Sequence, residues 1–128
     1  MTNITKTMAA AASGMAAQSA RLRLSSENIA NVDTPGYRRK LTSFQQIARP
    51  DGGVVTTGPV RLDQTPLPKT YDPAHPLADE QGYYEGSTVD LMVELADARE
   101  AQRSYEANLK IMDQARSMTT GLLDLLRR

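Results

Sequence analysis

Apolar residues near the start of the chain follow a narrow helical stripe. Met8, Met15, Leu22 and Ile29 stand at intervals of seven residues, among alanines and serines. A period of seven is the spacing of a coiled-coil seam, whereas a globular helix has a broader apolar face. The pattern predicts a long N-terminal helix that packs closely on other helices. A helix packed on its own domain fits the same pattern.

The C-terminal segment carries the same spacing over a longer run. From residue 91 to residue 126, positions in alternating steps of four and three are mostly apolar, namely Leu91, Leu95, Ala98, Tyr105, Leu109, Met112, Leu123 and Leu126. Gln102, Arg116 and Thr119 are the polar members of the series, and polar seam residues can fix the register between helices. The pattern predicts a helix of about 35–40 residues. Thr119-Thr120-Gly121 is expected to interrupt it near its end.

The middle of the chain has turn and strand signals in place of helical ones. All seven prolines fall between Pro35 and Pro76. Asp51-Gly52-Gly53 followed by residues 54–57 predicts a turn into a strand, and residues 60–62 predict a second short strand, so that a small irregular hairpin is expected. Residues 67–76 are rich in proline and are expected to run extended without ladder pairing.

These patterns predict a mainly α fold. The N- and C-terminal helices are expected to pack as a coiled-coil-like hairpin, with a small Pro/Gly-rich middle that contains short β-strands. Residues 1–35 and 88–128 then form a discontinuous helical assembly domain. Residues 36–87 form a small irregular projection.

The N-terminal helix is predicted to end abruptly before Pro35. Asn28 and Asn31 are three residues apart and share a helix face, where their carboxamides can bond backbone groups or a neighbouring chain. Pro35 disfavours the α conformation at Thr34. Pro35-Gly36 also matches the two central positions of a type II turn, which predicts a positive φ at Gly36.

Composition excludes several classes of function. The chain has 15 basic and 15 acidic residues, so it lacks the positive excess on which general nucleic-acid binding depends. Cysteine is absent, which excludes disulfides and thiolate metal sites. No run approaches the ~18 apolar residues of a membrane span. The alanine-rich stretch after Lys6 is too weakly apolar for a cleaved signal peptide.

Two polar clusters are candidates for binding chemistry. His75, with Asp72, Asp79 and Glu80 nearby in sequence, is a single imidazole on a Pro-rich loop, which is typical of a solvated or packed side chain more than of a metal ligand. The basic run 38–40 fits a subunit contact or a solvated face, with phosphate binding as the alternative. We predict no metal, no cofactor and no small-molecule substrate. Without a phosphate loop or nucleophile elbow, an enzyme is not predicted.

Three stretches resemble one family. The string Asn28-Ile29-Ala30-Asn31-Val32-Asp33-Thr34-Pro35-Gly36-Tyr37 resembles the N-terminal signature of the flagellar basal-body rod and hook family. The stretch 71–84, with Tyr71-Asp72-Pro73-Ala74-His75-Pro76, resembles the middle of that family's short proximal rod members. Residues 105–108 resemble its C-terminal helix signature. The resemblance therefore spans nearly the whole chain.

The resemblance implies a structural subunit of the proximal rod that assembles helically into the torque-transmitting drive shaft. It implies contacts with copies of itself, with other rod proteins and with the junction to the membrane-ring protein. It also implies passage through the flagellar type III export apparatus without signal cleavage, to the rod in the periplasmic space.

By the same resemblance, the turn residues that matter for assembly are Asn28, Ile29, Asn31, Thr34, Pro35, Gly36 and Tyr37. The helix-seam interface comprises Met8, Met15, Leu22, Leu91, Leu95, Tyr105, Leu109, Met112, Leu123 and Leu126. Another short rod subunit is the nearest alternative. A soluble coiled-coil adaptor or export chaperone is the alternative from a different class.

Overall fold

Two long helices frame a small strand-containing middle. The computed structural model describes residues 2–50 and 52–127. Within them, helix α1 spans Thr2–Ala30 and helix α2 spans Leu91–Leu126. The strands are β1 (Lys40–Leu41), β2 (Phe44–Ile47), β3 (Val54–Thr57), β4 (Arg61–Leu62), β5 (Lys69–Tyr71) and β6 (Tyr83–Glu85). The predicted mainly α class is confirmed, and α2 has 36 residues, within the predicted length.

The first four strands form two antiparallel pairs, β2 with β3 and β1 with β4. Ile47 lies opposite Val54, and Lys40 lies opposite Leu62. The predicted hairpin between residues 54–57 and 60–62 is therefore wrong. Both strands pair with earlier segments, since Pro59 between them cannot take the positive φ that a type I′ turn requires at its central positions. Asp51, the first residue of the predicted turn, lies outside the described residues.

The Pro-rich stretch also contains a ladder, which corrects the expectation of unpaired extended chain. Strand β5 pairs antiparallel with β6, and Thr70 lies opposite Tyr84. Pro68 and Pro73 lie just outside the three paired residues. The prolines therefore limit the length of the strand but do not prevent its pairing.

Helix α2 continues through Gly121 to Leu126, so the predicted interruption is wrong. The hydroxyls of Thr119 and Thr120 bond within the helix, to the carbonyl oxygens of Ala115 and Arg116 at 3.0 and 3.1 Å. Threonine hydroxyls bonded to the carbonyl four residues earlier are compatible with a continuous helix. A lone glycine costs a helix only about 1 kcal/mol.

The two helices pack against each other as an antiparallel pair. At one end Asn28 contacts Glu94, and near the other end Ile4 and Met118 line the same groove. The buried and half-buried positions of α2 are spaced mainly by four and three residues, and the inner face comprises Glu94, Ala98, Ala101, Tyr105, Asn108, Met112, Ala115 and Thr119. This seam has the predicted period. It shares positions 98, 105, 112 and 119 with the predicted series. At the other positions the inner residue stands one place before the predicted one, as with Ala101 before Gln102 and Asn108 before Leu109.

Small side chains let the helices approach closely. The buried apolar residues in the described part of the chain are Ala11, Ala17, Leu24, Ala101 and Ala115, of which four are alanines. A Cβ added to Gly14 would lie 2.9 Å from Asn108 Nδ2, so the glycine backbone sits directly against α2. The pair thus buries few large side chains of its own.

The β2–β3 hairpin packs on one side of α1. Ser13 Oγ accepts a hydrogen bond from the amide of Val55 at 3.0 Å. Gly14 faces α2. Successive residues of a helix are about 100° apart around its axis, so Ser13 and Met15 lie on opposite sides of the helix pair. The hairpin therefore occupies the Ser13 side. Neither described helix combines the length and apolar character required to cross a membrane.

Candidate functional site

The C-terminal end of α1 is followed by the turns that the sequence predicted. The amide of Asn31 bonds to Glu27 O at 3.1 Å, and its side-chain amide bonds to the same oxygen at 2.8 Å. Gly36 has a φ of 75°, which confirms the predicted positive value. Its amide donates to the carbonyl oxygens of Glu85 and Gly86, both at 3.2 Å. The turn thereby ties the end of α1 to β6.

Asn28 lies at the centre of this junction and is 1 % exposed. Its Oδ1 accepts hydrogen bonds from the Tyr37 hydroxyl at 2.8 Å and the Lys40 amide at 2.9 Å. Its Nδ2 donates to Lys40 O at 3.0 Å and to Glu94 Oε1 at 3.2 Å. One carboxamide therefore joins α1, the returning chain and α2. Such a combination of two donors and two acceptors is found only in Asn and Gln side chains.

A network of arginines and carboxylates continues from Asn28 along the same side. Arg39 Nε pairs with Glu94 Oε1, and its terminal nitrogen lies 2.7 Å from Asp97 Oδ2. Arg21 of α1 lies 3.3 Å from Asp97 Oδ1 and 3.6 Å from Glu100 Oε2. Because Glu94 is fully buried, its charge requires this cation nearby. The network fixes the rotational setting of α2 relative to α1.

Burial and pairing shift two pKa values at the junction. Loss of solvent raises the pKa of the Tyr37 hydroxyl, and the nearby Lys40 ammonium partly offsets that rise. The hydrogen bond to Glu27 raises the pKa of the Lys40 ammonium, and the Lys40 Nζ to Glu27 Oε2 distance is 3.0 Å. Tyr37 therefore stays protonated at neutral pH and donates to Asn28.

A cavity of about 300 Å³ adjoins the network, lined by Arg21, Leu24, Ser25, Asn28, Arg39, Lys40, Leu41, Thr42, Phe44, Glu94 and Asp97. Its cations have partners within the chain: Arg39 binds Glu94 and Asp97, and Lys40 binds Glu27. The neighbouring Arg38 donates to the carbonyl oxygens of Asp63 and Thr65. The basic run thus joins segments of the chain, which favours a structural role over the phosphate-binding alternative.

His75 lies within the β5–β6 loop as a packed side chain. Its ring stacks on Tyr84 with centroids 3.9 Å apart, and Nδ1 accepts a hydrogen bond from the Leu77 amide at 3.1 Å. Across residues 2–50 and 52–127, no three His, Asp or Glu side chains cluster closely enough to hold a metal ion. The Nδ1 hydrogen bond and the stacking on Tyr84 hold the His75 ring in place within the loop.

The remaining turn residues lie around the Asn28 junction. Ile29, Asn31, Pro35 and Tyr37 are half-buried, and Thr34 is exposed, with its hydroxyl bonded to Asn31 Oδ1 at 3.1 Å. The structure therefore brings Asn28 and Tyr37 into direct contact and places the other turn residues beside them.

The predicted seam residues divide between two environments. Tyr105 and Met112 lie on the inner face of α2, and Met8, Met15 and Leu22 are half-buried on α1. The leucines of the α2 series are exposed in the single chain, at 42 % for Leu91, 48 % for Leu95, 40 % for Leu109, 47 % for Leu123 and 82 % for Leu126. Their burial by neighbouring subunits stays a prediction.

Sequence reasoning missed Arg21, Arg39, Glu94 and Asp97 as members of the junction. The pairs join residues 55–76 positions apart, and no local pattern connects them. One signal was available in the sequence. Glu94 and Asp97 lie three residues apart shortly after the N-cap Asp90 of α2, and the partner helix α1 carries the basic residue Arg21. Such spacing places both carboxylates on neighbouring helix positions.

Comparison with known proteins agrees with this architecture. A family model described as "Flagella basal body rod protein" matches residues 8–38, and one described as "Flagellar basal body rod FlgEFG protein C-terminal" matches residues 80–125. The flagellar basal-body rod protein FlgC of Agrobacterium fabrum is 41 % identical over 126 residues, covering 91 % of each chain. The chain belongs to the FlgC family of flagellar basal-body rod proteins. FlgC of Salmonella typhimurium is 36 % identical over 124 residues, covering 90 % of this chain and 92 % of its own.

The two matched regions coincide with the two sides of the Asn28 junction. The first ends at residue 38, just past Tyr37, and the second contains Glu94 and the whole inner face of α2 up to Thr119. FlgC of Borreliella burgdorferi, at 32 % identity, covers 91 % of this chain, so membership of the FlgC family extends through the strand-containing middle.

Proposed function

We propose that this protein is a structural subunit of the flagellar basal-body rod, which assembles helically into the shaft that transmits torque. The observation that carries the proposal is its similarity to FlgC proteins over about nine-tenths of their length. The role requires shape and contacts and no catalysis. The packed His75 and the internally paired cations fit such a role.

We propose that the two helical segments and the middle of the chain have different roles. Residues 1–35 and 88–128 form the assembly part, and residues 36–87 form the projection. The helix pair suits assembly because it buries mainly alanine within the chain and leaves large aliphatic side chains exposed along α2. Burial of such side chains is the main favourable term in association. Neighbouring subunits would supply the packing that the single chain lacks.

The polar junction would give the subunit its stiffness. Torque transmission requires that the two helices do not slide or rotate against each other. Alanine contacts alone resist such motion weakly, whereas the Asn28 bonds and the Arg39 ion pairs have fixed geometry. We therefore propose that the junction locks the register of α1 against α2 under load.

The proposed partners are copies of this chain, other rod proteins and the junction to the membrane-ring protein. The proposed location is the rod in the periplasmic space, reached through the type III export apparatus without signal cleavage. The small buried core supports this route, since a chain with few large buried side chains is easily kept unfolded for export.

A deletion strain tests the proposal. Loss of the gene should abolish swimming, and an epitope-tagged copy should restore it and copurify with intact basal bodies. The Asn28→Ala copy should fail to restore swimming, and the Glu106→Ala copy, altered at an exposed position of α2, should restore it. Normal basal bodies and swimming in the deletion strain would contradict a rod function.

A further inference from the structure

His75 makes a kind of hydrogen bond that recurs along this chain. In each case a polar side chain accepts from the backbone amide two residues later, as Asp79 Oδ1 does from Gln81 at 2.8 Å. The carboxylates that accept in this way include those of Asp63, Asp72, Asp79 and Asp90. His75 Nδ1 accepts from the Leu77 amide at 3.1 Å in the same arrangement. Asp and Asn usually supply such acceptors, whereas here the acceptor is an imidazole nitrogen.

The bond from Leu77 requires a neutral imidazole. Nδ1 accepts a hydrogen bond only when it carries no proton, so the ring proton resides on Nε2. In the imidazolium form both ring nitrogens are donors, and Nδ1–H would then face the Leu77 N–H. Two donors do not bond to each other, so protonation of His75 breaks this hydrogen bond.

The other contacts of His75 do not require a neutral ring. Its ring lies almost parallel to that of Tyr84, at 9° and with centroids 3.9 Å apart. A cation is attracted to the face of a tyrosine ring, so the stack persists when the imidazole is charged. The backbone bonds from His75 N to Asp72 O and from Ala78 N to His75 O, both 3.0 Å, persist as well. Protonation therefore acts on the Leu77 amide alone.

The imidazole is also the group of this region that changes charge near neutral pH. The other ionisable groups of β5, the loop and β6 are the tyrosines of both strands, Lys69, Asp72, Asp79, Glu80 and Glu85. Carboxyl groups ordinarily titrate at about pH 4, and lysine and tyrosine at about pH 10. Histidine ordinarily changes charge between about pH 5 and 8, and the chain has a single histidine.

Leu77 connects the loop to the turn that follows α1. It lines a cavity of about 360 Å³ together with Pro35, Gly36 and Tyr84. Its side chain is 65 % exposed, so burial contributes little to holding the residue in place. Loss of the amide bond to His75 therefore loosens one wall of this cavity.

We propose that the hydrogen bond between His75 and Leu77 is a pH-sensitive switch of the β5–β6 loop. The neutral ring holds Leu77 in the closed loop, and the protonated ring releases it and widens the cavity beside Gly36. The open loop binds one more proton than the closed loop, so the closed loop becomes more stable as the pH rises. The switch does not depend on the rod function proposed above.

Nuclear magnetic resonance of the purified full chain tests the switch. The ring ¹⁵N signals of His75 and the exchange of the Leu77 amide, corrected for intrinsic rates, are followed from pH 8 to pH 5. Protection of the Leu77 amide should fall several-fold, with the same midpoint as protonation of the ring. The Gln81 amide makes the corresponding bond to a carboxylate and is the internal control, which should keep its protection over this range.

His75→Asn is the matched variant, because its carboxamide oxygen can accept from the Leu77 amide and does not titrate. Protection of Leu77 in this variant should change by less than about twofold between pH 8 and pH 5. Three results overturn the switch: a ring that titrates while Leu77 is unaffected, equal loss of protection at Leu77 and Gln81, or the full loss in His75→Asn. The comparison of Leu77 with Gln81 in the wild-type chain decides the question if the variant does not fold.

Discussion

The side-chain amide of Asn28 donates to Glu94 Oε1 across 3.2 Å and so joins the last turn of α1 to the first turn of α2. Both side chains are buried, at 1 % and 0 % exposure, and the residues are 66 positions apart in sequence. The contact therefore forms only when the two helices have reached their final register.

The first prediction concerns this contact. Asn28→Asp replaces the amide nitrogen by an oxygen that faces two acceptors, Lys40 O and Glu94 Oε1. Each buried group left unpaired costs about 1–3 kcal/mol, so the variant should enter basal bodies poorly and swim slowly. Adding Glu94→Gln restores a donor between the two side chains and should recover part of the swimming speed. If Asn28→Asp alone swims at the wild-type rate, the junction does not hold the helices.

The second prediction concerns the turn after α1. Gly36 has a positive φ and nothing lies within 4 Å of an added Cβ, so a substitution there meets backbone strain and no clash. Gly36→Val should cost roughly 1–2 kcal/mol or more and reduce rod assembly, because β-branched residues avoid this conformation. Gly36→Asn should assemble better, since asparagine tolerates it. Equal assembly of the two variants, measured by immunoblot of basal bodies, would show that the positive φ at residue 36 does not determine how well the rod assembles.

The third prediction is a pH dependence in the β5–β6 loop. Hydrogen bonds from the backbone amides of Tyr83 and Gln81, at 3.0 and 2.8 Å, hold the pKa of Asp79 below its usual value. Because the pKa of Asp79 is lower in the folded chain than in the unfolded chain, the ionised carboxylate stabilises the loop at pH values above the unfolded pKa of about 4. This stabilisation is lost as the pH falls through the folded pKa. Amide hydrogen exchange of residues 79–84, corrected for intrinsic rates, should therefore show less protection at pH 3 than at pH 6. Asp79→Asn should remove most of that difference, and an unchanged difference would assign it to other groups.

The fourth prediction concerns the exposed leucines. Leu109 is 40 % exposed in the single chain and is expected to be buried in the rod. Leu109→Asp places a charge at that buried contact, which costs several kcal/mol if it stays unpaired. Cells with this variant should not swim, whereas cells with Glu106→Ala on the same helix should. Equal swimming of the two strains would place Leu109 outside any subunit contact.

The long helices could be predicted because their apolar period extends over many residues. The end of α1 could be predicted for a different reason, since Pro35-Gly36 restricts the backbone locally. The helix register was harder to predict. Leu95 and Leu109 dominate the pattern, whereas Ala101 and Asn108 take inner positions, and Asn108 lies against Gly14 of α1. Close packing selects small side chains, and a search for large apolar residues passes over them.

Strand pairing and the polar junction were the parts that the sequence did not reveal. Residues 54–57 were predicted as a strand, but their partner, Phe44–Ile47, has no clear alternation of apolar and polar residues. The ion pairs of Arg39 join segments separated by 55 and 58 positions. Both features depend on how distant segments meet, which local propensity does not specify.

This chain is a subunit of the basal-body rod, built on an antiparallel helix pair that is joined at Asn28 and Glu94. Electron cryo-microscopy of basal bodies isolated from the parent bacterium tests it most directly. We expect rod density into which α1 and α2 fit as a pair, with continuous side-chain density between Asn28 and Glu94. A rod resolved at the same detail whose subunits are all accounted for by other chains would contradict it.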